Sequence, residues 1–519
     1  MADDADWRAQ PADYAPIGRA GSRFSWLSPV TLWHSRNNVL ASLTGDPTEN
    51  ARRAWVAAQR IALADRGEPE VVVEDFMLER PELAEFSFML MGDTGEGDVS
   101  QFAAVPAFLA ASRGSEFAMI ASDVVYPAGD VNQYVAKFFI PYAAYPQPIY
   151  AVPGNHDWLD GLAGFMRHFC GAEAPRELFR PPKRARYGRA AMAVHHLLWR
   201  RAARLQPETL TQASTLRGEA AGRGPQQPNM YFCIDTPQLR IVGIDVGILG
   251  RLDHDQGEWL RRVSAGDKPK LLVSGKPIFA GPDFSPRRIL AAEGGDAKAS
   301  GMLWDVVADP GNNYVAMVAG DIHHYQRHNV TLPDGRVLPC FITGGGGAFM
   351  SSTHQIARVD RAEVGEDDWV VFPTRGDSLR AYSIVLLRRV CRWLPLLRRS
   401  IRGIPADQAA AIVAERHGLD LAAELSRGER PAVEGSTIRV SRRSRLLAAF
   451  VYPRRAWFKS GRISEALDWD EPPFFKNFMR ADLLAGKLVF TAYAASGLAR
   501  DQDVPVAIDR VEIELRGGR

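Results

Sequence analysis

The chain has 519 residues, enough for one large catalytic domain with additions or for two domains. Hydrophobic residues make up 46% and charged residues 24%, a globular balance that excludes a disordered or collagen-like chain, and a formal net charge of +2 gives no whole-molecule case for nucleic acid. The 4 cysteines (Cys170, Cys233, Cys340, Cys391) fall in no CxxC or zinc-like spacing, which argues against a disulfide framework.

The N-terminus, Met-Ala-Asp-Asp-Ala-Asp, lacks the positive start and apolar run of a secretory signal. No stretch reaches the roughly 18 apolar residues that span a bilayer, so a soluble cytoplasmic location is expected, with peripheral membrane attachment left open. Residues 1–84 read as an N-terminal extension with a helix at Thr48–Ala64, capped by Thr48 or Asn50. From Phe86 onward, short apolar runs alternate with helical patterns, an α/β order with strands buried on both faces. The runs are Phe86–Met91, Phe117–Ala121, Pro148–Val152, Leu239–Ile244, Lys270–Val273, Tyr314–Ala319 and Val337–Ile342. A helical insertion is expected at about 158–229, with a basic loop at Arg180–Arg189. Residues 375–519 read as a C-terminal extension: a helix at Ala406–Arg427, and a tail, Lys487–Leu515, that alternates as a hairpin around Ser496–Asp503.

Four motifs follow strands in order: Gly92-Asp93-Thr94-Gly95, Ser122-Asp123-Val124-Val125-Tyr126, Gly154-Asn155-His156-Asp157 and Gly320-Asp321-Ile322-His323-His324. Strand ends are where open α/β sheets place their chemistry. Carboxylate, imidazole, phenol and amide oxygen together suit iron, manganese or zinc. Each motif alone is a common turn; the ordered set is the signal.

With these motifs the sequence resembles the calcineurin-like metallophosphoesterase superfamily. Gly154-Asn155-His156-Asp157 is the most specific signature, and Gly92–Gly95 with Asp123–Tyr126 is similar to the purple acid phosphatase branch. Leu239–Asp245 before Gln256–Leu260 and the glycine-rich Phe341–Gly347 also resemble the family, which covers about Phe86 to Ala348. The resemblance implies a four-layer α/β sandwich, two facing mixed sheets flanked by helices, in a domain at about 85–374. It implies one or two metal ions (Fe, Mn or Zn) and a phosphorylated substrate, a monoester or diester, hydrolysed by metal-bound hydroxide. Asp93, Asp123, Tyr126 and His323 would form a first metal site, with Asp123 bridging to a second metal bound by Asn155. His156 would face the substrate and help protonate the leaving oxygen or stabilise the transition state, and Asp157 would orient His156 through its ring N–H.

The pattern breaks at the second site. Where the family carries two further histidines, this chain has Gly275, in Val273-Ser274-Gly275-Lys276-Pro277, and Asp321. Asp321 keeps a carboxylate for metal; Gly275 keeps nothing. Lys276 reads either as a cation replacing the lost metal and touching phosphate, or as a solvated strand-end lysine. His324 is expected to pack or to bind substrate rather than metal, because alternation turns it away from His323.

Two basic stretches lie outside the motifs. Arg380–Arg402 reads as a membrane-surface or partner-binding element, or as a core strand and helix whose arginines reach solvent. Ser441–Arg462 mixes arginines with aromatics and reads as a polyanion-binding or domain-docking surface; with no nucleic-acid fold in view, nucleic acid is not expected as partner. The preferred function is metal-dependent phosphoester hydrolysis. The rival is a non-catalytic scaffold whose eroded second site has ended catalysis; a third reading is a nuclease.

Overall fold

The computed structural model describes residues 25–44, 46–175, 178, 193, 195, 197–217, 227–292, 301–390, 403–427, 438–452 and 474–515. Strands are numbered in chain order; β9 (Phe279–Ala280) and β10 (Asp283–Phe284) form a separate antiparallel pair. One sheet has six strands in the order β17 (Val506–Glu514), β16 (Lys487–Ala495), β15 (Lys476–Leu484), β3 (Phe86–Met91), β4 (Phe117–Ala121) and β5 (Ile149–Val152). Here β3, β4 and β5 are parallel, and β15 pairs antiparallel with β3. The chain's last 40 or so described residues thus extend the sheet that carries the first three motifs.

The second sheet has nine strands: β1 (Val71–Val72), β2 (Met77–Glu79), β6 (Phe232–Asp235), β7 (Arg240–Ile244), β8 (Lys270–Ser274), β11 (Tyr314–Ala319), β13 (Val337–Thr343), β12 (Tyr325–Thr331) and β14 (Trp369–Phe372). Its centre, β7, β8, β11 and β13, is parallel. Every side chain of β3, β4, β5 and β8 is buried, as continuous apolar runs in a covered parallel sheet require. The two sheets face each other across one core: Phe341 of β13 meets Phe490 of β16 at 4.9 Å, and Tyr150 of β5 meets Phe232 of β6 at 5.9 Å. Helices cover the outside. Val99–Ala111 lays Phe108 on Phe478, and His254–Ser264 lays Trp259 on Tyr231. This is the four-layer α/β arrangement expected from the sequence.

Local differences have local causes. The first long helix runs Thr48–Arg66 and is started by Asp46, whose carboxylate accepts the Thr48 N–H, not by Thr48 or Asn50. Its inward face carries Ala51, Trp55, Gln59 and Leu63, and it ends at Gly67 in the left-handed region. No strand occurs at Arg380–Val390. That stretch lies in a helix, Arg375–Val390, because Leu379, Tyr382 and Val385 recur every third residue on one buried face. The expected helix Ala406–Arg427 is two, Ala406–His417 and Leu421–Arg427, split by Gly418 at φ 64°. These helices and Arg442–Val451 share a second, smaller apolar cluster. Cys391, the loop Arg180–Arg189 and residues 391–402 lie outside the described residues. No described helix is long and apolar enough to cross a membrane.

Candidate active site at the strand ends

The carboxyl ends of β3, β4 and β5 from one sheet meet those of β8 and β11 from the other, and all nine residues singled out from the sequence lie there. The chain leaves these strands through strained turns: Asp93, Ser122 and Asp321 hold φ of 55°, 92° and 71°. Such conformations persist only where the surroundings enforce them, and they concentrate at functional sites. Glycine is enforced too. A Cβ on Gly154 would stand 2.1 Å from Asp123 Oδ1, so only glycine lets the Asn155-His156 turn approach that carboxylate.

Three donors converge at the first site. The Tyr126 O–H donates to Asp93 Oδ1 at 3.0 Å and lies 3.2 Å from His323 Nε2, which is 4.0 Å from Asp93 Oδ1. Ligands about 2.0–2.2 Å from one ion stand roughly 3–3.5 Å apart, so a carboxylate, a phenol and an imidazole are spaced to share a cation. The His323 Nδ1–H donates to the Phe349 carbonyl, which leaves Nε2 with its lone pair. Burial, the largest cause, then the Lys476 charge, pushes this imidazole down to about 3, so it is neutral and ready to ligate. Burial, then Asp123 and Asp321, pushes the Asp93 carboxyl well up, and Asp123 is also raised by burial. Buried carboxylates crowded in this way lack positive charge, which a cation would supply. Among the described residues no three side chains drawn only from His, Cys, Asp and Glu are gathered to hold a metal; the third donor is the Tyr126 phenol.

The second site is different. The Lys276 ammonium donates to Asn155 Oδ1 at 2.8 Å and pairs with the Asp321 carboxylate. It stands between the two residues that the resemblance gives to a second metal. Gly275 offers no room for the missing histidine, since a Cβ there would lie 2.5 Å from the Pro153 carbonyl oxygen. A second metal therefore does not fit these residues as they stand. Asp123 Oδ1 accepts the His156 backbone N–H at 2.7 Å.

Asp157 does not orient the His156 ring. Its carboxylate accepts backbone N–H groups from Val124, Val125 and Gly154, tying the β4 and β5 turns together. The His156 Nδ1–H instead donates to the Pro127 carbonyl at 2.8 Å, which leaves Nε2 as the free end of the ring. His324 packs, with Nδ1 donating to the Ser351 carbonyl.

Three residues that the motifs did not single out complete the site. Trp26, from the N-terminal segment and only 8% exposed, sets its indole edge-on to Tyr126, His156 and Phe349 at 5.2–5.5 Å. Its Nε1–H donates to Glu96 at 2.7 Å. Lys476, on β15, is buried beneath the glycine-rich turn and donates to the Gly347 and Ala348 carbonyls. Glu96 directly follows the Gly92–Gly95 motif, but nothing local marks Trp26 or Lys476.

Residues 86–196 match the family model of calcineurin-like phosphoesterases. Over this segment the chain is similar to calcineurin-like phosphoesterases. The match ends before Lys276, Asp321 and His323, which the fold brings to the same strand ends as the matched residues. No curated protein matches the chain. Among solved structures it is similar to GAP50, the anchor in the inner membrane complex of Plasmodium, with 11% identity, TM-score 0.32, and 54% of this chain and 76% of that chain covered. It is similar to purple acid phosphatase PPD1 from yellow lupin (Lupinus luteus) seeds, with 12% identity, TM-score 0.32, and 55% and 48% covered, about half the lupin enzyme's length. TT1561 of Thermus thermophilus gives 10% identity, TM-score 0.23, and 50% and 89% covered. Likeness at these scores carries no argument about function.

Proposed function

We propose that the chain hydrolyses a phosphomonoester or phosphodiester at this site, using one bound cation and the Lys276 ammonium where relatives of its family use a second metal. The observation that carries the reading is the pairing of Lys276 with both Asn155 and Asp321, beside the Asp93, Tyr126 and His323 donors. A phosphoryl group needs positive charge on its equatorial oxygens and a proton for its leaving oxygen. Iron, manganese or zinc held by Asp93, Tyr126 and His323 would supply Lewis acidity toward one phosphoryl oxygen. Lys276 spends two N–H bonds on Asn155 and Asp321, and its third is taken up by no described residue, so it can donate to a second phosphoryl oxygen. As water attacks phosphorus and the ester P–O bond breaks, His156, held through Nδ1–H by the Pro127 carbonyl, would act as the imidazolium, passing the proton on Nε2 to the leaving oxygen and being reprotonated by the proton that the attacking water releases. Trp26 roofs His156 and Tyr126 and keeps water from their far side.

The non-catalytic reading keeps one observation in its favour: the Lys276–Asp321 pair already neutralises part of the cluster without metal. Elemental analysis of protein purified without chelators, run beside hydrolysis of p-nitrophenyl phosphate and bis(p-nitrophenyl) phosphate, separates the two. The expected result is about one metal per chain, lost in Asp93→Asn. His156→Ala should keep the metal and lose about 10²–10⁴ in kcat. Two metals per chain would remove Lys276 from its role. No metal and no hydrolysis, even after reconstitution with iron, manganese and zinc, would leave the scaffold.

A further inference from the structure

The helix Arg442–Val451 packs in one direction only. Ser444, Ala448 and Val451, spaced i, i+4, i+7, are buried, and Ala448 and Val451 join the cluster formed by the helices Arg375–Val390 and Ala406–His417. The opposite face holds Arg442, Leu446 and Phe450 at i, i+4, i+8, in line along the helix, with Arg445 and Ala449 beside them, all exposed. Leu446 is 65% exposed and Phe450 72%, which is large for two residues that helical spacing sets side by side. An outward face of a packed helix is ordinarily polar; this one interleaves large apolar side chains with arginines. Arg445 lies 3.6 Å from Glu415 in an exposed pair. The sequence around it is as one-sided: between Glu434 and Glu465 there are eight Lys and Arg and no Asp or Glu.

We infer that this face docks on an anionic lipid surface. The charge asks for a negative partner, and the Leu446–Phe450 ridge asks for an apolar one. A bilayer interface with acidic headgroups offers both within one helix diameter, arginines at the phosphates and Leu446 with Phe450 among the upper acyl chains. A polyanion such as RNA would satisfy the arginines but would leave Leu446 in water. The inference is independent of the phosphoesterase reading, and the segment 391–402 plays no part in it.

The test is flotation of the full chain with vesicles of phosphatidylcholine alone, and of phosphatidylcholine with about one third phosphatidylserine. Binding is expected to the second kind only and to fall as salt is raised. Leu446→Ser/Phe450→Ser and, separately, Arg442→Gln/Arg445→Gln should each weaken partition by about tenfold or more. All four positions are exposed, so both variants should fold and retain whatever hydrolysis of p-nitrophenyl phosphate the parent shows. Four outcomes would overturn the inference: no binding, equal binding to neutral vesicles, unchanged binding in both variants, or capture of single-stranded RNA in place of vesicles. Concentration-dependent dimerisation abolished by Leu446→Ser/Phe450→Ser, without vesicle binding, would assign the face to a second copy instead.

Discussion

Replacing Lys276 by methionine removes an ammonium and keeps most of the side chain's volume. In the folded chain its side chain is 13% exposed and that of Asp321 is 26%, so the pair sits at the edge of the core, partly screened by solvent. Breaking a fully buried pair by deleting one partner costs about 3–5 kcal/mol. At this exposure, Lys276→Met should cost about 2–3 kcal/mol, because Asp321 is left beside Asp93, already crowded by carboxylates. Asp321→Asn should cost about 1 kcal/mol, since Lys276 keeps Asn155. The double variant removes both charges and should lie within about 1 kcal/mol of the parent. Urea unfolding in the presence of chelator measures all four proteins without a contribution from metal, and a coupling of about 2 kcal/mol is expected. Calorimetry with inorganic phosphate adds the functional half: the double variant should recover stability and still bind phosphate at least about tenfold more weakly. Additive costs, agreeing within about 0.5 kcal/mol, would mean that the ammonium does not hold the carboxylate. Parental phosphate affinity in the double variant would remove Lys276 from the binding site.

Trp26→Ala should open the space over His156 and raise kcat/KM for a bulky aryl diester about tenfold relative to a small alkyl one; an unchanged ratio would deny Trp26 a share in selectivity. Arg52 is buried between Asp245 at 2.7 Å and Asp253 at 2.8 Å, so Arg52→Met strands two carboxylates and should cost about 3–5 kcal/mol in urea unfolding. A loss below about 1 kcal/mol would mean that water reaches them. Burial pushes the His168 imidazole down to about 4 from 6.5, while its Nε2–H donates to the Val131 carbonyl. Its folded pKa lies below its unfolded one, so its contribution is intact above pH 6.5 and is lost as pH falls toward 4, by up to about 3 kcal/mol. His168→Gln should therefore show a shallower loss of stability between pH 7 and 4.5, and an equal slope would contradict the burial argument.

What the sequence made legible is what sits next to itself along the chain. Asp93, Asp123, Asn155 and Asp321 each follow an apolar run by a residue or a few, and parallel strands bring those ends together. Phe86–Met91, Phe117–Ala121 and Tyr314–Ala319 are strands to the residue. Less legible were elements whose partner lies far away in the chain. The strand β15 carries no clear apolar run, because Lys476–Leu484 mixes Lys, Asn, Arg and Asp with apolar residues; their polar groups find partners far along the chain, Ser87 donating to Asp482, Thr343 to Asn477, Arg480 to the Ala111 carbonyl and Lys476 to the glycine turn. Trp26 stands 70 residues before Glu96 and 130 before His156, and an isolated tryptophan carries no periodicity. Asp157 differs for a related reason: adjacency to His156 suggests a ring partner, whereas turn geometry aims the carboxylate at three backbone N–H groups.

The exchange at Gly275, Lys276 and Asp321 has an electrostatic consequence for substrate choice. Two metals on neutral histidines would leave the cluster net positive against Asp93 and Asp123. Here the carboxylates of Asp93, Asp123 and Asp321 stand against one ammonium and, in the proposed state, one divalent ion, which leaves the cluster about neutral. A phosphomonoester arrives at neutral pH with nearly two negative charges, and a diester with one. Each charge about 5 Å away is worth roughly 3 kcal/mol at an effective dielectric of about 20, and less at this partly exposed edge. Losing positive field therefore penalises the monoester more than the diester. The proposed hydrolase should turn over bis(p-nitrophenyl) phosphate with a kcat/KM at least about tenfold above that for p-nitrophenyl phosphate, and Asp321→Asn, which restores one unit of positive charge, should narrow the gap. A monoester preference that Asp321→Asn leaves unchanged would show that the charge of this cluster does not select the substrate.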